Sequence, residues 1–173
     1  HLPKNVIIVE QNPNLESLSE LDYLTTEKWP FQIKHIFTHQ TGACQARNKA
    51  LELLESKWCF FNDDDNRFDE TLVKKAIKFM NEFNLKVFSA NYLLKDETQL
   101  YNIISQTTIF GSGNSFIKSD VAKVIPFELK LEFGYGEDTE YGLKLRKSGY
   151  DIVYNPFIRI IHLKAPMGGF RTK

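Results

Sequence analysis

The chain opens with alternating apolar blocks and turn residues. NVIIVE (5–10) holds an unbroken apolar stretch closed by the turn residues of QNPN, which predicts a buried strand. In FQIKHIFTH (31–39), Phe31, Ile33, His35 and Phe37 alternate with polar neighbours, predicting a second strand. From Gly42 to Glu55 the period becomes helical, with Ala43, Ala46, Ala50, Leu51 and Leu54 on one face. KWCFFN (57–62) predicts a third strand running into an acidic triplet. In DETLVKKAIKFMNEF (69–83), Leu72, Val73, Ala76, Ile77, Met80 and Phe83 form one helical stripe, with Asp69 suited to the first turn. KVFSANYLL (86–94) follows as another strand. This rhythm predicts a layered α/β domain with a mainly parallel sheet.

The second half is less regular. IFGSGNSFI (109–117) is rich in Gly and Ser between apolar ends, and DTEYGLKLRKSGY (138–150) predicts a helix stopped by Gly149. DIVYNP and FIRIIHL then predict two short strands, and KAPMGGFRTK a mobile tail.

Composition narrows the class. The 173 residues suffice for one domain with a real core, and 42% hydrophobic against 25% charged residues fits a globular protein. Lys plus Arg balance Asp plus Glu, 22 to 22, so net charge gives no footprint for nucleic acid, and membrane association is expected to be peripheral at most. Cys44 and Cys59 stand singly, without CxxC spacing, and predict buried free thiols. With no apolar stretch of spanning length and no signal peptide in HLPKN, the expected location is the cytoplasm.

The chemistry concentrates in Asp63, Asp64 and Asp65, directly behind the third strand. Ligands of open α/β sheets bind outside the carboxyl ends of the strands, and carboxylates there favour Mg²⁺ or Mn²⁺ held together with phosphate oxygens. A solvated turn that caps the following helix is the competing reading. A haloacid-dehalogenase-type phosphatase fits poorly because Arg67 stands where Thr or Val is wanted, and GSGNSF lacks the third glycine and the N-terminal placement of a dinucleotide loop.

Several segments, in order, resemble the GT-A-fold glycosyltransferases of family 2, the inverting nucleotide-sugar transferases. VIIVEQNP resembles that family's second strand, TGACQARNKAL its Ala-Arg-Asn helix start, and WCFFNDDDN its strand with the DXD motif. FGYGEDTEYGLKLRKSGYDIVYNPFIRIIHL resembles its Glu-Asp helix, the strands beyond, and the closing metal-ligand histidine. The resemblance implies a three-layer α/β GT-A fold, with residues 1–90 as the nucleotide-binding half and 91–173 as the acceptor and catalytic half.

It also implies roles. Asp63 and Asp65 become the DXD acids, Asp63 nearer the ribose and Asp65 on a Mn²⁺ or Mg²⁺ ion, with Asp64 the variable middle position beside the nucleotide. His162 becomes the further metal ligand. Asp138 becomes the general base that inversion requires, with Glu137 orienting the acceptor hydroxyl or donor sugar. Arg47, opening a helix just after Gly42, is placed to pair with the diphosphate or contact the base, together with Gln40 and Gly42. Glu10 stands where the family commonly has an Asp that contacts the base. Gly111, Ser112 and Gly113 are expected to let backbone approach the donor sugar or acceptor, and Tyr135 to offer a stacking platform. The implied partners are a nucleotide-sugar donor, with a UDP-sugar favoured, and a glycan, lipid or protein acceptor.

The sequence departs from the family in starting at what resembles the second strand, without the usual first strand and its base-binding loop. The expectation is therefore a shortened domain that keeps the catalytic signature but binds nucleotide weakly. A noncatalytic glycan-binding or assembly module is the alternative, and a sugar-phosphate nucleotidyltransferase lacks its N-terminal Gly-rich phosphate loop.

Overall fold

The computed structural model describes residues 2–95, 97–99, 102–133 and 135–163, so the expected mobile tail lies outside the described residues. The elements in order are β1 (Asn5–Gln11), α1 (Tyr23–Thr26), β2 (Gln32–Thr38), α2 (Ala43–Glu52), β3 (Trp58–Phe60), β4 (Asn66–Arg67), α3 (Leu72–Glu82), β5 (Val87–Leu94), β6 (Ser105–Thr107), β7 (Ser115–Lys118), α4 (Ser119–Ala122), a 3-10 turn (Leu129–Leu131), α5 (Glu137–Lys147) and β8 (Ile152–His162).

β1 and β2 pair in parallel over seven residues as a two-stranded sheet. The larger sheet runs β3-β7-β5-β8-β4, with β6 also paired to β8. Its strand directions are mixed rather than mainly parallel: β5 and β8 are parallel, whereas β3–β7, β5–β7, β4–β8 and β6–β8 are antiparallel.

Successive residues of a strand point to opposite faces, and the core divides accordingly. Val87 and Ile117 join Leu51, Tyr141 and Leu145 beneath α2 and α5, while Phe88 and Phe116 join Leu72, Ala76 and Met80 beneath α3. Helices thus cover both faces of the sheet, in three layers. Phe60, Phe116 and Phe88 stack across β3, β7 and β5 with centroid separations of 4.2 and 4.8 Å, tying the three strands together on the α3 side.

The two short strands expected after Gly149 are one strand of 11 residues. Pro156, which cannot donate to a ladder, sits at an irregularity where Ala90 pairs with Asn155 but Asn91 pairs with Arg159. Two asparagines pair its backbone: Asn155 Oδ1 accepts the Phe157 N–H at 2.9 Å, and Asn91 Nδ2 donates to the Pro156 carbonyl at 3.3 Å. The strand therefore continues through the proline and delivers His162 to the far rim.

α5 ends as its glycine predicts. Gly149 has φ 84°, and the Tyr150 and Gly149 N–H groups donate back to the carbonyls of Leu145 and Arg146, both at 3.0 Å. Cys44 and Cys59 are free thiols, and burial pushes them up to about 11 and about 12. No described helix is long and apolar enough to cross a membrane.

Candidate active site

The rim where β3, β5 and β8 end brings together acids that are distant in sequence. β4 pairs with the end of β8, placing Asn66 opposite His162, and the Leu163 N–H donates to the Asp65 carbonyl at 2.9 Å. This backbone frame sets His162 Nε2 2.9 Å from Asp65 Oδ2, with both side chains partly exposed.

Tyr92, on β5, organises the pair from beneath. Its ring stacks on the His162 imidazole at 4.8 Å and 19°, and its hydroxyl donates to Asp63 Oδ2 at 3.3 Å. Burial, joined by the charges of Asp63 and Asp65, pushes the Tyr92 phenol up, so it remains a donor.

The 111–113 loop lies between Asp63 and Asp138. A Cβ on Gly113 would meet Asp63 Oδ2 at 2.3 Å, so the missing side chain is what lets that carboxylate settle against the loop. The Ser112 N–H donates to Asp138 Oδ2 at 3.2 Å, whereas Asp138 Oδ1 is buried without a hydrogen-bond partner among the described residues. Asn66 Nδ2 donates to the Gly113 carbonyl at 2.7 Å and fixes the loop from the other side. The loop backbone thus lies against two carboxylates, Asp63 and Asp138.

Burial raises the pKa of Asp63, against the opposing Arg47 charge and the Tyr92 hydrogen bond; Asp65 and Asp138 raise it further. Burial likewise raises Asp138, with Ser112 and Arg47 opposing. Electrostatically, Asp63, Asp65, Asp138 and Arg47 form one group.

α2 serves this group as a spine. Arg47 Nη1 lies 3.7 Å from Glu137 Oε1, and its guanidinium covers the Phe127 ring at 5.3 Å. Asn48 grips the Phe127 backbone twice, donating to its carbonyl at 2.9 Å and accepting its N–H at 2.8 Å. Glu137 is buried in the first turn of α5, Asp64 is exposed, and Tyr135 is 77% exposed beside the same helix start.

The residues expected around the base lie at the ends of β1 and β2. Gln11 Nε2 donates to the carbonyls of Gln40 and Gly42, both at 3.0 Å, and its Oε1 accepts the Gly42 N–H at 3.2 Å. Glu10 is engaged internally, accepting from Ser19 Oγ at 2.6 Å and the Glu20 N–H at 2.9 Å, with His35 Nε2 at 2.9 Å. Burial pushes the Glu10 carboxyl up, but these hydrogen bonds outweigh it and its pKa is lowered.

The sequence profile of Glycosyl transferase family 2 matches residues 1–131. The chain belongs to this family. No curated protein matches the chain at a significant level. Among solved structures, this family 2 chain is similar to S. aureus TarS 1–349 in complex with UDP-GlcNAc, at TM-score 0.76 and 16% identity over 99% of this chain and 54% of that one. TarS 1–349 in complex with UDP gives 0.67 and 18% over 88% and 49%. GalNAc-T7 with UDP, GalNAc and Mn²⁺ gives 0.72 and 11% over 92% and 37%. The chain therefore spans about half or less of each relative's length and shares the GT-A glycosyltransferase fold.

The donor set suits a divalent ion. Cis ligands about 2.1 Å from an octahedral cation stand about 3 Å apart. Asp65 Oδ2 and His162 Nε2, at 2.9 Å, have that spacing without rearrangement. No group of three or more His, Cys, Asp and Glu side chains forms a ready-made cage among the described residues. Two protein ligands leave coordination positions for phosphate oxygens and water, the usual arrangement for Mg²⁺-type sites.

Tyr92, Asn48 and Asn66 escaped the sequence reading. Tyr92 reads as an ordinary strand residue, and only its position two strands from β4, beside the end of β8, reveals its double contact. Asn66 and Asn48 stood inside the quoted motifs, DDDN and Ala-Arg-Asn, where their polarity was the available signal.

Proposed function

We propose that this family 2 chain is the donor-binding and catalytic core of a metal-dependent, inverting glycosyltransferase that uses a UDP-sugar. The observation that carries the reading is the Asp65–His162 pair at 2.9 Å, on the same rim as the half-buried Asp138. A UDP donor is supported by the relatives, solved with UDP-GlcNAc, with UDP, and with UDP, GalNAc and Mn²⁺.

Asp65 and His162 would hold Mn²⁺ or Mg²⁺, with Asp63 turned toward the ribose. When bound, the ion supplies electrostatic stabilisation of the charge gathering on the departing nucleoside diphosphate. Asp138 takes the proton of the acceptor hydroxyl while the new bond from that oxygen to the anomeric carbon forms and the bond from carbon to phosphate oxygen breaks. One of its oxygens is held by Ser112 and the other has no hydrogen-bond partner among the described residues, which suits a base, and its raised pKa strengthens it as a proton acceptor. Glu137 orients the acceptor through its buried position beside Arg47.

In this reading residues 1–90 bind the nucleotide, with Gln40, Gly42 and Asp64 lining it, and 91–173 bind the acceptor, a glycan, lipid or protein. Arg47 reaches the diphosphate by leaving its loose pair with Glu137, and Glu10 shapes the base pocket through the Ser19–Glu20 segment it binds. Hydrolysis of a panel of UDP-sugars tests the assignment. At the Mn²⁺ concentration that saturates the parent, Asp138→Asn is expected to lose turnover while still binding UDP, and Asp65→Ala to lose both. Turnover at the parent rate in either variant contradicts it.

A further inference from the structure

Segment 127–137 connects Phe127 to the candidate base helix, and α2 hydrogen-bonds its described residues at Phe127 and Glu132. Asn48 grips its start, at Phe127, while Arg47 lies 3.7 Å from Glu137 at its end. Its middle is held by Glu132, a residue outside every motif singled out above. Glu132 Oε1 accepts the Cys44 N–H at 2.9 Å and Oε2 accepts the Gln45 N–H at 2.8 Å.

The contact is built into the fold. Its partners lie 88 and 87 residues apart in sequence, and the carboxylate enters space that only glycine leaves open, since a Cβ on Gly42 would sit 2.2 Å from Glu132 Cδ. First-turn amides of a helix lack intrahelical partners and carry the positive end of its dipole. Here a carboxylate from the other half of the chain satisfies those of Cys44 and Gln45, while the Gly42 N–H goes to Gln11. These three amides are occupied by the protein itself rather than left for a donor phosphate. Beyond Glu132, Phe133 at φ 61° and Gly136 at φ 103° both adopt left-handed backbone conformations before α5.

We infer that Glu132 is a positioning residue: its two-point contact with the start of α2 aligns Tyr135, Glu137 and Asp138 against the donor half and reserves the diphosphate for the rim formed by Asp63, Asp65 and Arg47. The inference rests on the glycosyltransferase reading above. It makes the junction of the two halves part of the catalytic geometry.

Three measurements on the whole chain test it: amide hydrogen exchange at Cys44 and Gln45, UDP binding by calorimetry in Mn²⁺, and kcat for hydrolysis of a UDP-sugar. In Glu132→Ala both amides are expected to exchange faster and UDP affinity to stay within about twofold, while kcat falls on the order of tenfold through misplacement of the base. Glu132→Gln retains one acceptor oxygen and is expected between the two; it carries the comparison if the alanine variant does not fold. Faster exchange with parental kcat would reduce Glu132 to a helix cap, and tighter UDP binding would make it a competitor of the diphosphate. Either result overturns the inference while leaving the glycosyltransferase reading intact. Absence of UDP-sugar turnover in the parent chain, whatever the exchange data, overturns both.

Discussion

His162 and Asp65 stand 97 residues apart in sequence and 2.9 Å apart in space, and the reason is backbone register. β4 is only two residues long, but its pairing with the end of β8 sets Asn66 opposite His162, and the Leu163–Asp65 backbone bond extends the match by one step. A one-residue slip in that register would turn His162 to the other face of the sheet. The pair is thus set by main-chain register rather than by side-chain packing alone.

Tyr92 contributes to that rim in two separable ways, by its hydroxyl on Asp63 and its ring on His162. Tyr92→Phe removes only the hydrogen bond, to a half-buried carboxylate, and is expected to lower UDP-sugar turnover by about tenfold, the size of one such bond. Tyr92→Leu also removes the ring and is expected to raise the Mn²⁺ concentration needed for half-maximal rate, by about 10-fold or more. Metal titrations of both variants check the separation. Equal Mn²⁺ dependence in the two would mean that the ring does not position His162.

Asp63 and Asp138 carry a stability cost that pH reveals. Burial raises both pKa values in the folded chain, so the native state holds these protons more tightly than the unfolded state. The stability they contribute is complete below the ordinary carboxylate pKa of about 3.9 and is lost as pH rises through the raised native value. Asp63→Asn and Asp138→Asn are therefore expected to melt above the parent at pH 7, by about 2–4 °C for each kcal/mol gained. The advantage should vanish near pH 4. Parallel melting curves across that range would show that neither carboxyl is destabilised by its site.

Much of the frame was legible because it is periodic. The apolar stripe of 69–83 became α3, and NVIIVE and FQIKHIFTH became β1 and β2 within a residue or two of the predicted limits. Strand direction has no periodicity of its own, and the antiparallel return of β7 became visible only when Ser115 was seen to pair with Ser89. Pro156 suggested a break because proline removes a donor, yet the irregularity beside Ala90 absorbs it and leaves β8 continuous.

Among site residues, the acids announced themselves by clustering. Asn48 and Glu132 did not, because each acquires its role from a backbone group 79 to 88 residues away. The family profile ends at residue 131, before Glu137, Asp138 and His162.

The most direct test of the central claim is the rate of UDP-sugar hydrolysis as a function of Mn²⁺ after EDTA treatment, for the parent chain, Asp65→Ala and His162→Ala. Saturable restoration of activity is expected in the parent, with the Mn²⁺ required rising about 100-fold or more in either variant. An EDTA-treated parent that keeps its full rate, or a His162→Ala chain with parental Mn²⁺ dependence, would contradict the account.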